Sequence, residues 1–186
     1  MEEVREKLKE SLKGNEKYVV LAKVAASDYQ HSNFEMIKYL TIDDSVPGVY
    51  VTLNKPFSTM KPFFAKEGIN TDMIIFIDAV TKTSGGSVEK TENCLFIGSP
   101  ENLSDISLAM DQAVRAVPGD KKFLFFDSLD TLLIYNKPAT VAKFIHFLSG
   151  KMRVWNVKGI IVSLKKDSNK ELQEELSQFC DVLLEF

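Results

Sequence analysis

One stretch near the middle of the chain constrains the fold more than any other. Residues 123–126 are consecutive apolar residues, mostly phenylalanine, and the next residue is Asp127. A run that is apolar at every position, rather than at every second one, is typical of a strand covered on both faces, as in the centre of a parallel sheet flanked by helices. An aspartate at the carboxyl end of such a strand lies where open α/β sheets bind their ligands.

The rest of the chain alternates between strand-like and helix-like segments. This alternation predicts an α/β fold, a three-layer α/β/α sandwich in which helices cover both faces of a mostly parallel sheet. We expect one domain over residues 1–186, because a chain of this length suits a single domain. The predicted strands are residues 18–22, 49–53, 73–78, 95–97, 123–127, 159–164 and 181–186, and the predicted helices are residues 2–13, 34–40, 57–67, 99–117, 139–155 and 168–179.

Composition and charge argue against several classes of function. The net charge of −3 does not suit non-specific binding of nucleic acid or of anionic membranes. No apolar run approaches the roughly 20 residues of a membrane span, and the charged N-terminus does not resemble a secretory signal. Cys94, Cys180, His31 and His146 show no metal-ligand spacing. We therefore expect reduced thiols in a cytoplasmic protein.

Two segments are candidate contact surfaces for a protein partner or for a second copy of the chain. The predicted helix at residues 2–13 carries a narrow apolar stripe of Val4, Leu8 and Leu12, which suits either the edge of the sheet or a partner. Residues 81–94 form the one long polar stretch with glycines, and long loops of this kind are usually functional or mobile. Within that loop, Val88 is the candidate contact residue.

In its motifs, the chain resembles the RecA-like ATPases, and most closely the KaiC-like domains that are common in archaea. Residues 123–133 carry most of the resemblance, since they are similar to the Walker B strand of that family and to the turn after it. Four further segments stand in the family's order and spacing, namely residues 49–53, 76–79, 144–148 and 180–186. The resemblance implies a RecA-like sheet and an Mg²⁺ ion held through water by Asp127.

The segment where that family carries its phosphate-binding loop departs from the pattern. A P-loop, G-x-x-x-x-G-K-[ST], needs glycines for positive φ, a lysine for the β- and γ-phosphates and a hydroxyl for Mg²⁺. The corresponding window, residues 26–33, contains no glycine. Ser32 stands in place of the lysine, Asn33 in place of Ser/Thr, and Asp28 adds a negative charge.

These replacements cost free energy of phosphate binding. A charge-assisted hydrogen bond is worth roughly 1.5–3 kcal/mol, and a non-glycine residue in a strained turn costs roughly 1–3 kcal/mol. Losing the lysine and both glycines therefore removes about 4–8 kcal/mol. Because micromolar binding corresponds to about 8 kcal/mol, little phosphate affinity is expected to remain.

A second departure concerns the glutamate that polarises the attacking water in KaiC-like ATPases. At the end of the second strand, where that glutamate belongs, the residues are Leu53, Asn54 and Lys55. Without phosphates, Asp127 suits a role as a cap for backbone N–H groups better than a role as an Mg²⁺ ligand. Asp78 also ends a strand, and a pair with Asp127 would suit a hard cation. The sequence leaves open whether their strands are neighbours.

Three functions remain as hypotheses. The first is a pseudo-ATPase, a non-catalytic domain without cofactor that acts in protein–protein assembly or regulation such as signal transduction. The second is an ATPase with a non-standard phosphate loop and Mg²⁺ on Asp127, in which ATP would be bound by Asp28, Ser32, Asn33, Asp127 and Ser128. The third is a sensor that binds an uncharged or cationic small molecule in the crevice at the end of the sheet.

Overall fold

The computed structural model describes residues 3–88, 90–166 and 169–186. Its strands form one seven-stranded sheet in which every neighbouring pair is parallel. In chain order the strands are β1 (Tyr18–Val24), β2 (Gly48–Thr52), β3 (Ile74–Asp78), β4 (Cys94–Phe96), β5 (Phe123–Asp127), β6 (Lys158–Leu164) and β7 (Val182–Glu185). Across the sheet their order is β4-β3-β2-β5-β6-β1-β7.

The sheet is organised around β5, as its apolar run predicts. All of its residues are buried, and the strand lies between β2 and β6. Thr52, the last residue of β2, pairs with Asp127, the last residue of β5. Because both strands end at the same level, side chains just beyond β2 can reach the carboxylate of Asp127.

Helices cover both faces of the sheet and give the predicted three layers. The helices are α1 (Glu3–Leu12), α2 (Tyr29–Lys38), α3 (Phe57–Lys66), α4 (Leu103–Ala116), α5 (Leu129–Tyr135), α6 (Pro138–Val154) and α7 (Lys170–Ser177). A turn of π-helix, Tyr39–Asp43, continues α2, and a short 3₁₀ helix, Thr71–Met73, precedes β3. The first three pack on one face and the last four on the other. The prediction of an α/β/α sandwich is confirmed.

The predicted starts of two helices differ from the description of the structure. α4 begins at Leu103 rather than at residue 99, because the side chain of Asn102 accepts a hydrogen bond from the N–H of Asp105 at 3.2 Å and so caps the helix there. The predicted start of the last helix, residue 168, lies outside the described residues.

The N-terminal helix packs inside the chain. Leu8 and Leu12 of α1 are 0% and 2% exposed and share an apolar cluster with Met36 of α2. Val4 is half-buried against the same cluster. The expectation that Leu8 and Leu12 offer a contact surface is therefore wrong, because the chain's own core covers the stripe. Val88, in contrast, is 43% exposed.

Candidate functional site

The carboxylate of Asp127 is held by three side chains. Tyr50 donates its hydroxyl to Oδ2 at 2.6 Å, and Asn54 donates its amide to Oδ1 at 2.9 Å. The hydroxyl of Tyr29 also donates to Oδ1. Because Asp127 is only 3% exposed, these three donors take the place of hydrating water.

Three separate elements bring the donors together. Tyr50 lies in β2, the strand beside β5. Asn54 follows the end of β2, where the N–H of Leu53 donates to the carbonyl of Asp127 at 2.8 Å. Tyr29 is the first residue of α2, the helix that follows β1. The cluster therefore covers the end of β5 with residues from elements that lie on either side of β5 in the sheet.

Asn54 occupies the centre of this cluster. Its amide nitrogen lies 2.5 Å from the hydroxyl of Tyr29 and 3.3 Å from Oγ of Ser128. Its carbonyl oxygen accepts a hydrogen bond from the hydroxyl of Thr131. A carboxamide does not take up a proton near neutral pH, so Asn54 cannot serve as a general base.

Little room remains beside Asp127. The space bordered by this residue, Tyr29, Asn33, Tyr50 and Asn54 has a volume of about 20 Å³, which suits one water molecule. Pockets for small molecules begin at roughly 300 Å³. Oδ1 of Asn33 is buried without a hydrogen-bond partner, and a single water in this space would supply one.

Burial controls the ionisation of the cluster. It raises the pKa of Asp127 to about 8, while the three donors favour the charged carboxylate. It also raises the pKa of Tyr50 far above its usual range, so that hydroxyl stays protonated and able to donate. Mg²⁺ with its coordinating waters does not fit here, because both oxygens of Asp127 already accept hydrogen bonds within about 20 Å³ of space.

The connection between β1 and α2 bonds to the chain itself. It consists of residues 25–28. The N–H of Asp28 donates to the carbonyl of Ala25 at 3.0 Å, and the N–H of Ser32 donates to the carbonyl of Asp28 at 2.8 Å. These backbone groups are turned toward the chain itself and do not converge on a ligand.

The residues predicted for a nucleotide site fall into two groups. Asn33 and Ser128 lie in the cluster around Asp127, the first at its border and the second through Asn54. Asp28 and Ser32 do not border that space, and instead line a separate depression. Ser32 is 1% exposed on the inner side of α2, whereas Asp28 is exposed.

Asp78 has a different role at the end of β3. Its carboxylate accepts hydrogen bonds from the N–H groups of Phe57 (2.8 Å), Val80 (2.7 Å) and Thr81 (2.8 Å), and from the Thr81 hydroxyl (2.6 Å). It therefore caps both the start of α3 and the turn after β3. Its side chain is fully buried.

Asp78 and Asp127 are not neighbours. β2 lies between their strands, and Thr52 pairs with both residues, one on each side. Two strand spacings amount to roughly 9–10 Å between the backbones. Since each carboxylate is also engaged by its own set of donors, the two do not form a cation site.

Sequence reasoning missed Tyr29 and Tyr50 as members of the site. Tyr29 lies inside the window compared with the P-loop, and Tyr50 lies in a predicted strand, so both were visible as residues. The signal available in the sequence was Tyr29, a bulky phenol in the window where a P-loop has small residues. Which acceptor it would meet depends on the strand order, which the sequence pattern did not specify.

Two other kinds of site are absent from residues 3–88, 90–166 and 169–186. In these ranges no helix is both long enough and apolar enough to cross a membrane. The same ranges contain no group of three or more His, Cys, Asp or Glu side chains placed to hold a metal ion.

Comparisons with solved structures identify the fold. The KaiC-like protein PH0186 from the hyperthermophilic archaeon Pyrococcus horikoshii aligns with a TM-score of 0.62 and 15% identity, over 90% of this chain and 71% of that one. The uncharacterized protein PH0321 from Pyrococcus horikoshii, solved in complex with an unknown peptide, aligns with a TM-score of 0.64 and 11% identity, over 97% and 82%. At these identities the similarity shows the RecA/KaiC-like fold and does not by itself assign a function.

Two further comparisons used the sequence. The model of a family of unknown function, DUF7504, matches residues 48–186. No curated protein matches the chain.

Proposed function

The chain belongs to the family of unknown function DUF7504, and on that premise we propose that it is a pseudo-ATPase. In this proposal a RecA/KaiC-like domain neither binds nor hydrolyses nucleotide and acts through contacts with other proteins. The observation that carries it is the enclosure of Asp127, whose carboxylate accepts hydrogen bonds from Tyr29, Tyr50 and Asn54 beside only about 20 Å³ of space.

A nucleotide would have to displace Tyr29 to reach Asp127. Displacement would break a hydrogen bond to a buried carboxyl group, worth roughly 1.5–3 kcal/mol when the carboxyl is charged. The chain has Ser32 where a lysine would offset this cost by neutralising phosphate. The negative charge of Asp28 in the same connection would oppose a phosphate further.

The two alternatives have less support. An ATPase with a non-standard loop needs Asp28, Ser32 and Asn33 around one phosphate, but only Asn33 borders the space beside Asp127. A sensor for a cationic ligand needs open carboxylates at the sheet end. Asp78 and Asp127 are both buried, and their carboxylate oxygens already accept hydrogen bonds from the chain.

The second part of the proposal is that the chain acts through contacts with other proteins. PH0321 was solved in complex with an unknown peptide, so a domain with this fold can bind a peptide. A second copy of the chain is included among the candidate partners. We also propose a cytoplasmic location, because Cys94 and Cys180 are free thiols.

A thermal-shift series with Mg-ATP and Mg-ADP tests the proposal. A site with a Kd of about 50 μM would add about 2.7 kcal/mol at about 5 mM nucleotide, and would raise the Tm by roughly 5–10 °C for a chain of this size. We expect the Tm to stay within about 1 °C at every concentration. A saturable rise with either nucleotide would overturn the proposal.

A further inference from the structure

β4 is an edge strand whose outer backbone groups have no hydrogen-bond partners among the described residues. The N–H of Phe76 donates to the carbonyl of Asn93 at 2.7 Å, and the N–H of Ile97 donates to the carbonyl of Asp78 at 2.9 Å. In a parallel ladder, the backbone N–H and C=O groups of successive residues point alternately to the two sides of the strand. Those of Leu95 therefore point toward β3, and those of Cys94 and Phe96 point outward. Within the described ranges, neither of these two residues forms a further backbone hydrogen bond.

The connection that leads into β4 leaves an opening beside this edge. Parallel strands are usually joined by a helix that covers the sheet, but the described part of residues 79–93 contains none. A cavity of about 460 Å³ lies between this connection and α3, which is within the usual range for a bound side chain or small molecule. The site around Asp127, in contrast, has about 20 Å³.

The cavity is lined by both apolar and polar residues and by one charge. Phe57 and Phe96 border it, together with Ser84 and Thr91. Lys61 is the only charged side chain among the described residues that line it. The nearby carboxylate of Asp78 is buried and saturated with donors, so it does not neutralise Lys61.

The edge and the cavity lie on the same side of the sheet. Cys94, Phe96 and Phe57 belong to one apolar cluster, on the α3 face, whereas Ile97 belongs to the cluster on the opposite face. A strand paired with the outer groups of Cys94 and Phe96 would therefore direct alternate side chains toward the cavity.

We propose that an extended peptide segment of a partner protein adds to the sheet beside β4, with one apolar side chain in the cavity and an acidic side chain near Lys61. Backbone pairing with Cys94 and Phe96 would supply affinity, and the cavity would supply specificity. This proposal names the partner chemistry for the protein contacts proposed above, and so rests on that function.

The test uses a phage-displayed library of random nine-residue peptides selected on the full chain. Selected peptides are expected to share a bulky apolar residue two positions away from an acidic one, because alternate side chains of an extended segment face the cavity. N-methylation of single peptide residues should weaken binding by about tenfold at every second position, because only alternate N–H groups pair with β4. Lys61→Gln should weaken binding about two- to fivefold, and Lys66→Gln, an exposed lysine on the same helix, should leave it unchanged.

Amide hydrogen exchange supplies a readout that does not depend on any variant. The amides of Cys94 and Phe96 should exchange at least about tenfold more slowly in the peptide complex, while the amide of Leu95 is protected in both states. The proposal is wrong if no peptide is selected, if N-methylation has no period-two pattern, or if these two amides do not change. Slowing with protein concentration alone would point to pairing of two copies and also overturn it. Nucleotide binding in the thermal-shift series would instead contradict the pseudo-ATPase proposal, whatever the peptide result.

Discussion

The hydroxyl of Tyr29 donates a hydrogen bond to the carboxylate of Asp127, which is 98 positions later in the chain. The first residue belongs to the helix after β1 and the second ends β5. In the ATPases that the sequence resembles, these two places hold the phosphates and the metal. Here they are joined directly by a hydrogen bond within the chain.

Replacing Tyr29 with phenylalanine removes one donor from a buried carboxyl group. Tyr29→Phe should lower the free energy of unfolding by about 1–3 kcal/mol, because Asp127 has no water to replace the lost hydrogen bond. Urea denaturation measures the change. The control is Tyr135→Phe, whose ring is 41% exposed, with an expected change within about 0.5 kcal/mol. Equal effects of the two changes would contradict the assigned role of Tyr29.

The pH dependence of stability reports on Asp127. Its pKa of about 8 in the folded chain lies above the ordinary value of 3.8, so between these pH values the folded state binds more protons than the unfolded state. The free energy of unfolding should therefore fall as the pH rises from about 4 to 8. Urea midpoints at several pH values measure this slope.

The matched variants for this experiment are Asp127→Asn and Asp120→Asn. The first should remove the fall over the same pH range, even if it lowers stability at every pH, because its side chain does not titrate. The second replaces an exposed aspartate and should keep the slope of the wild type. A slope that persists in Asp127→Asn must come from another group and would disprove the assignment.

The packing of α1 can be measured with one truncation. Leu8→Ala should cost about 2–5 kcal/mol, because the side chain is fully buried in the chain's own core. Val88→Ala, at a side chain 43% exposed, should change stability by less than about 0.5 kcal/mol. Denaturation midpoints that do not depend on protein concentration would show that the loss is within one chain. A small effect of Leu8→Ala would mean that α1 is loosely attached.

Asp78 provides a test of capping at the end of β3. Asp78→Asn leaves one acceptor oxygen where the carboxylate serves the N–H groups of Phe57, Val80 and Thr81. We expect a loss of about 2–4 kcal/mol from the lost cap and the unpaired buried donors. Faster amide exchange at Phe57 and Val80 should accompany it. Unchanged exchange at both positions would argue that the carboxylate is not their partner.

The fold was predictable from local pattern, and part of the site was not. The apolar run before Asp127 specified a central strand, since only a strand covered on both faces is apolar at every position. Its carboxylate was correctly placed at the end of a buried strand. Its donors could not be predicted, because Tyr29 and Tyr50 meet it only through the order of β1, β2 and β5 in the sheet.

Two errors of interpretation, at the apolar stripe of α1 and at the start of α4, also arise where local pattern does not specify a contact. The stripe of Leu8 and Leu12 shows that α1 has one apolar face, but not whether the chain or a partner covers it. Likewise, the start of α4 depends on which side chain caps it, and Asn102 does so, three residues after the predicted start at residue 99.

Calorimetric titration of Mg-ATP into the protein tests the central claim most directly. The account predicts no saturable heat, because Tyr29, Tyr50 and Asn54 occupy the carboxylate that would face the metal and the phosphates. Binding tighter than about 100 μM, equivalent to about 5.5 kcal/mol, would contradict it.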